Sequence, residues 1–286
     1  MVSYKQQIAM AGITLMLMAA AQAAVPVEDA GAVPHLDARG KAAYLDYLKA
    51  DGHKAFFIAP GGHWSWRAEM GSVEAAEDAA LRDCQESTEQ ACVPYAINER
   101  VVFNAKAWPR LWGPYLTRAQ AERAPIGLKR GMRFPDLAFK NPQGRPITLK
   151  DLRGKVVVLH FWGSWCAPCL KEMPELRKTA QSLRNEPDIV FTCLQVREDF
   201  ATAKNFVRQK LRLDFALSDS QVKGPNKSEL PLSDGSTLPD RQVAKVFPTT
   251  YVLDKHGIVV FSHNGPIPDW SQYIAFLRDV AARSGQ

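Results

Sequence analysis

The chain has 286 residues, 46% of them hydrophobic and 23% charged, with a formal net charge of +6 and five cysteines. That length suits two modest domains, and the ordinary composition excludes a fibrous, repetitive or disordered protein. The 36 Lys and Arg are interspersed with 30 Asp and Glu rather than gathered into runs. Neither nucleic-acid binding nor attachment to a membrane surface is therefore expected.

Lys5, an apolar stretch over 8–19 and the small residues Ala20, Ala21, Ala23 and Ala24 have the layout of a secretory signal peptide. Residues 1–23 are expected to be removed. The alternative, an uncleaved anchor, is disfavoured by an apolar core short for a membrane span. The mature protein is then periplasmic, in an oxidising compartment, without stable membrane insertion. Residues 24–36, rich in Ala, Gly, Pro and Asp, read as a flexible linker.

A small α+β domain is expected over 37–124. Asp37 can cap a helix over 38–49, and residues 55–66 form an aromatic hairpin around Gly61 and Gly62. Ser72 can cap a second helix reaching Cys84, and strands follow over 93–97 and 100–103. In an exported chain, Cys84 and Cys92 are expected to form a structural disulfide. Trp64 and Trp66 alternate along a strand and are expected to pack against a core, although a partner-binding patch is the competing reading. His53 and His63 lack metal-ligand spacing. Residues 108–115 (WPRLWGPY) read as an aromatic bridge to the second domain, which is expected over 125–286.

Within 125–286 the expected order is two strands, a helix over 166–182, a strand over 189–195, a helix over 201–211, a hairpin and a final helix. A mixed sheet flanked by helices, α/β in class, accommodates this order. The chemistry concentrates at Trp165-Cys166-Ala167-Pro168-Cys169, between the apolar, β-branched segment 155–162 and the start of a helix. A Cys-x-x-Cys on such a turn places the first thiol at a helix N-terminus. Unpaired backbone N–H groups and the helix dipole there favour a thiolate. Cys166 is accordingly the expected nucleophile, and Cys169, one turn further, resolves the mixed disulfide. The competing readings are a permanent disulfide or half of a zinc site, and no second Cys or His pair completes the latter. No metal and no cofactor beyond the redox pair is expected. Trp165, Ala167 and Pro168 should shape access to Cys166, with Trp162 packed beneath. Cys193, in a buried-strand pattern, reads as an unreactive packing residue.

These residues resemble the TlpA/ResA-type thioredoxin-fold thiol–disulfide oxidoreductases of the redoxin family. Phe134-Pro135-Asp136-Leu137 resembles the opening strand, 144–155 the approach to the central strand, and 247–254 the cis-proline loop with its following strand. The upstream segment 55–103 is more loosely similar to small exported disulfide-containing domains of unknown function. The resemblance implies a thioredoxin-like fold over roughly 130–283, a cis bond before Pro248, and Phe247 and Pro248 against an extended substrate. It also implies an acidic residue, Glu172, near the sulfurs. Glu172 is either a proton acceptor of raised pKa or an exposed carboxylate complementing the dipole.

Two features depart from the family pattern. His160 stands where relatives carry Asn, and is either a proton relay or a buried structural histidine. Residues 220–241 read as an inserted loop. The implied partners are disulfide- or dithiol-bearing exported proteins, with a membrane thiol donor. The implied role is that of a reductant, as in cytochrome c biogenesis. Two other functions compete: a peroxiredoxin-type thiol peroxidase, disfavoured by Leu159 and Gly163 at the motif positions of Pro and Thr/Ser, and a non-catalytic copper- or client-binding module.

Overall fold

The computed structural model describes residues 26–88, 90–225, 228–267 and 269–285; the signal peptide expected over 1–23 lies outside the described residues. Asp37 accepts a hydrogen bond from the Gly40 amide at 2.7 Å and starts helix α1 (Ala38–Lys49). Strands β1 (His53–Ile58) and β2 (Trp64–Met70) pair antiparallel across Gly61 and Gly62, both at positive φ, where a side chain would be strained. Ser72 caps α2 (Val73–Ser87), and strands β3 (Val93–Ile97) and β4 (Arg100–Val101) complete an antiparallel sheet ordered β2-β1-β3-β4. Alternation along β1 sends Ala55 and Phe57 toward Ala76, Ala80 and Cys84 of α2, and Phe56 and Ile58 toward Tyr44 and Tyr47 of α1. Trp64 and Trp66 are half-buried against the α1 side, so packing accounts for both.

From residue 26 onward the expected linker is not free. Val33 and Leu36 are buried in the same cluster as Tyr44 and Trp108, because two apolar side chains within an Ala- and Gly-rich stretch still require cover. Cys84 and Cys92, eight residues apart, are bonded and tie the end of α2 to β3. Replacing both by Ala is expected to lower stability by about 2–3 kcal/mol through release of that short loop in the unfolded chain. Denaturant unfolding of the double variant beside the oxidised wild type measures this, and an unchanged midpoint would contradict it.

The aromatic segment joins the two halves. Trp108, in a 3-10 turn (Trp108–Leu111), belongs to the first core, whereas the Trp112 ring lies 5.5 Å from that of Phe276 and Tyr115 Oη donates to Asp279 Oδ2 at 2.6 Å. His35 adds a second tie. Its amide donates to Gln272 Oε1 at 2.6 Å and its ring stacks on Tyr273 at 4.4 Å.

After α3 (Arg118–Arg123) come the hairpin strands β5 (Ala138–Lys140) and β6 (Pro146–Thr148). The strand expected at 134–137 begins later than the resemblance implies. Phe134 and Leu137 are buried, but Pro135 has no N–H for a ladder. Then follow β7 (Val156–Trp162), α4 (Ala167–Ser182), β8 (Ile189–Gln195) and α5 (Phe200–Gln209). The expected inserted loop is a structured excursion: the hairpin strands β9 (Glu229–Pro231) and β10 (Thr237–Pro239) run directly into α6 (Asp240–Val243). Strands β11 (Thr249–Leu253) and β12 (Val259–Asn264), a 3-10 turn (Trp270–Tyr273) and α7 (Ile274–Arg283) complete the chain.

The second sheet is ordered β12-β11-β7-β8, with β8 parallel to β7 and the other pairs antiparallel. Every residue of β7 is buried: Val156, Val158 and Trp162 meet α4 and α7, while Val157, Leu159 and Phe161 face a second cluster that includes Phe134 and Phe139. The result is a thioredoxin-like α/β fold with a smaller α+β region at its N-terminal side. No helix among the described residues is long and apolar enough to cross a membrane.

Candidate active site

β7 delivers the chain to the turn Gly163-Ser164-Trp165, where a Cβ on Gly163 would collide with the Trp165 indole. Cys166 is the N-cap of α4, its sulfur accepting from the Cys169 amide at 3.3 Å. Pro168 occupies the first turn of the helix, where its missing N–H leaves no bond unmade. Cys166 and Cys169 are disulfide-bonded, with their Cα atoms 5.3 Å apart. Of the two, only Cys166 reaches solvent, at 5% exposure against 0% for Cys169. Both residues are buried, and the one at the helix N-terminus keeps the small remaining exposure.

The expected rim assembles around it. Ala167 and Pro168 are exposed, Trp165 is 46% exposed, and Trp162 is fully buried below. The Phe247–Pro248 bond is cis, Pro248 is buried, and the Phe247 ring stands edge-on to Trp165 at 5.4 Å.

Glu172 is buried on α4, as the proton-acceptor alternative requires. Its Oε1 accepts from the Ile267 amide at 3.1 Å and from Trp270 Nε1 at 2.6 Å, while Oε2 has no hydrogen-bond partner among the described residues. Burial raises its pKa to about 7, against the opposing pull of those two hydrogen bonds. Cys193 lies within reach of its charge: burial first and Glu172 second push that thiol far above the ordinary range, and it stays protonated.

His160 does not fit the relay role set out for it. Its Nδ1 bonds Thr250 Oγ1 at 2.9 Å, Nε2 has no hydrogen-bond partner among the described residues, and complete burial lowers its pKa to about 3. The ring remains neutral near pH 7, so the buried, hydrogen-bonded alternative is the one its surroundings support.

The sequence reading missed the segment after β8. Ser164 N and Oγ both donate to the Glu198 carboxylate at 2.5 Å, and Trp165 Nε1 donates to the Val196 carbonyl at 3.0 Å. The Arg197 guanidinium lies over the rings of Trp165 and Phe247, 5.5 and 4.9 Å from their centroids, and Nε bonds Asp240 Oδ2 at 2.5 Å. One signal was available. β8 runs parallel to β7, so whatever follows it emerges beside the turn into α4. Among the described residues, no three His, Cys, Asp or Glu side chains are grouped to hold a metal ion.

A sequence profile described as Redoxin matches residues 129–276, just over half of the chain and all of the site described above. The chain belongs to the Redoxin family. This redoxin is 28% identical over 154 residues to the thioredoxin-like protein YneN of Bacillus subtilis, covering 54% of its own length and 81% of YneN. It is 32% identical over 130 residues to the thiol–disulfide oxidoreductase ResA of Bacillus cereus, covering 46% of its own length and 66% of ResA. Among solved structures it resembles a DsbF homologue from Corynebacterium diphtheriae, with a TM-score of 0.40 and 21% identity over 58% of this chain and 90% of that one. The part of the redoxin that carries α4 and its disulfide is a thioredoxin-fold thiol–disulfide oxidoreductase unit.

Proposed function

We propose that this redoxin is an exported reductant that exchanges disulfides with partner proteins through Cys166 and Cys169. The observation that carries the reading is the asymmetry of the pair: the cysteine that keeps a small exposure is also the N-cap of α4, with its resolving partner bonded directly behind it. In the reduced form, the Cys166 thiolate attacks a client disulfide. One client thiolate leaves and a mixed disulfide forms. The Cys169 thiolate, its proton taken by Glu172, then attacks the Cys166 sulfur and releases the second client thiol. Two electrons pass to the client, and a membrane thiol donor restores the dithiol.

The signal-like residues 1–23 and the Cys84–Cys92 bond support export to a periplasm, since such bonds persist in oxidising compartments. Thiols of the kind handled in cytochrome c maturation are the client class the family resemblance favours.

The deciding experiment combines insulin-disulfide reduction with the reduction potential of the Cys166–Cys169 couple. Insulin should be reduced, at a potential nearer that of thioredoxin, about −270 mV, than that of a strong oxidant such as DsbA, about −120 mV. A DsbA-like value would reverse the direction of electron flow. Consumption of hydrogen peroxide without insulin reduction would make the protein a thiol peroxidase instead.

A further inference from the structure

Arg197 lies immediately beyond β8, at the same end of the sheet as the turn into α4, and the preceding residue is tied there by Val196 N donating to the Trp162 carbonyl at 2.9 Å. Its φ of +60° is left-handed, an uncommon conformation for a residue with a side chain. Three partners hold the guanidinium. The Trp165 and Phe247 rings flank the cation, and Asp240, whose side chain is only 2% exposed, takes Nε. Asp240 opens α6, so the excursion between β8 and β11 supplies the anchor, 43 residues along the chain from Arg197.

A strut between two rings needs nothing more than this, yet Arg197 carries more. Nε is committed to Asp240, while the Nη hydrogens have no hydrogen-bond partner among the described residues, and the side chain remains 22% exposed. Two fixed N–H groups on a planar fork match the two oxygens of a carboxylate. A guanidinium already held in place loses little freedom when it binds one. The Glu198 carboxylate, next along the chain, is already engaged by Ser164. Exposed Arg241 and Lys245 follow Asp240 on the way to Phe247, and the exposed carboxylate on the Arg197 side is Asp199, ahead of α5.

We propose that Arg197, braced by Asp240 between Trp165 and Phe247, is a specificity-determining residue that reads a carboxylate beside the reacting cysteine of a client segment. This rests on the reading of Cys166 as the exchanging sulfur. It adds the chemistry of the preferred partner: an extended segment with an acidic side chain next to its disulfide.

The test uses the reduced, full-length protein and three synthetic peptide disulfides, identical except for Glu, Gln or Lys next to the cysteine. In the wild type, kcat/KM for the Glu peptide should exceed that for the Lys peptide by about tenfold or more, as a charge-assisted bidentate contact provides. Arg197→Gln should bring that ratio close to one, and Arg197→Glu should invert it. Arg197→Lys, which keeps the charge and loses the fork, should retain only a small part of the preference. Each ratio is taken within one preparation, so a variant that folds incompletely still reports it. Equal rates for the three peptides in the wild type, or an unchanged ratio in Arg197→Gln, would overturn the assignment of Arg197 and leave the exchange function standing. Failure of the wild type to react with any peptide would remove the exchange function and this inference with it.

Discussion

Replacement of Cys166 by Ser is expected to abolish disulfide exchange, lowering the rate by more than about a thousandfold, as loss of a covalent nucleophile does. A serine hydroxyl is not ionised near neutrality and forms no mixed disulfide. The fold should survive the change, because serine is itself a favoured N-cap and can accept from the Cys169 amide as the sulfur does. Cys169→Ser should behave differently. Cys166, at the helix N-cap, can still attack, but nothing releases the client, so the protein accumulates as a mixed disulfide visible by intact mass. Multiple turnover by Cys169→Ser would show that the buried sulfur is not the resolving one. Trapping by Cys166→Ser instead would reverse the two roles.

The parts of this site legible in the sequence are those built from neighbouring residues. A β-branched run into Gly163, a Cys-x-x-Cys and a helical start lie within some thirty residues, and each local preference agrees with the fold it enters. Cys84 and Cys92 were legible for the same reason, being near neighbours at the junction of a helix and a strand. The environment of Glu172 was not, because it is set from far along the chain: Ile267 and Trp270 hold its carboxylate from 95 and 98 residues away. No local pattern separates that buried carboxylate from an exposed one on the same helix.

His160 shows the converse. Strand alternation places it on the α4 side of β7, but its titration depends on complete burial, which composition does not report. Arg197 and Asp240 look like ordinary surface charges in the sequence. They become a pair only when the β9–β10 excursion returns beside the end of β8. The expected linker failed for a related reason, since its composition is that of a tether and only the cover found by Val33 and Leu36 makes it part of a core.

Glu172→Gln is expected to separate two consequences of one buried carboxyl. In the folded protein this group holds its proton up to about pH 7, whereas in the unfolded chain it loses it near 4.5. Stability is therefore highest below pH 4.5, where both states are protonated. It falls as pH rises from 4.5 to 7, because the unfolded state ionises there while the folded state still holds the proton, and it levels off above 7, where both are ionised. The loss from this group approaches about 3 kcal/mol at pH 8. Glutamine keeps an oxygen for Trp270 Nε1 and the Ile267 amide but cannot ionise. Denaturation midpoints of the variant should then change less between pH 5 and 8 than those of the wild type.

Stability alone would not distinguish a proton acceptor from a buried structural carboxyl, and the exchange rate does. If ionised Glu172 takes the proton of Cys169, the wild-type rate rises through an inflection near pH 7. Glu172→Gln loses that inflection and slows by about a hundredfold. A variant that loses the pH dependence of stability while keeping the wild-type pH–rate profile would leave Glu172 a structural group. Proton transfer from Cys169 would then have to use another acceptor.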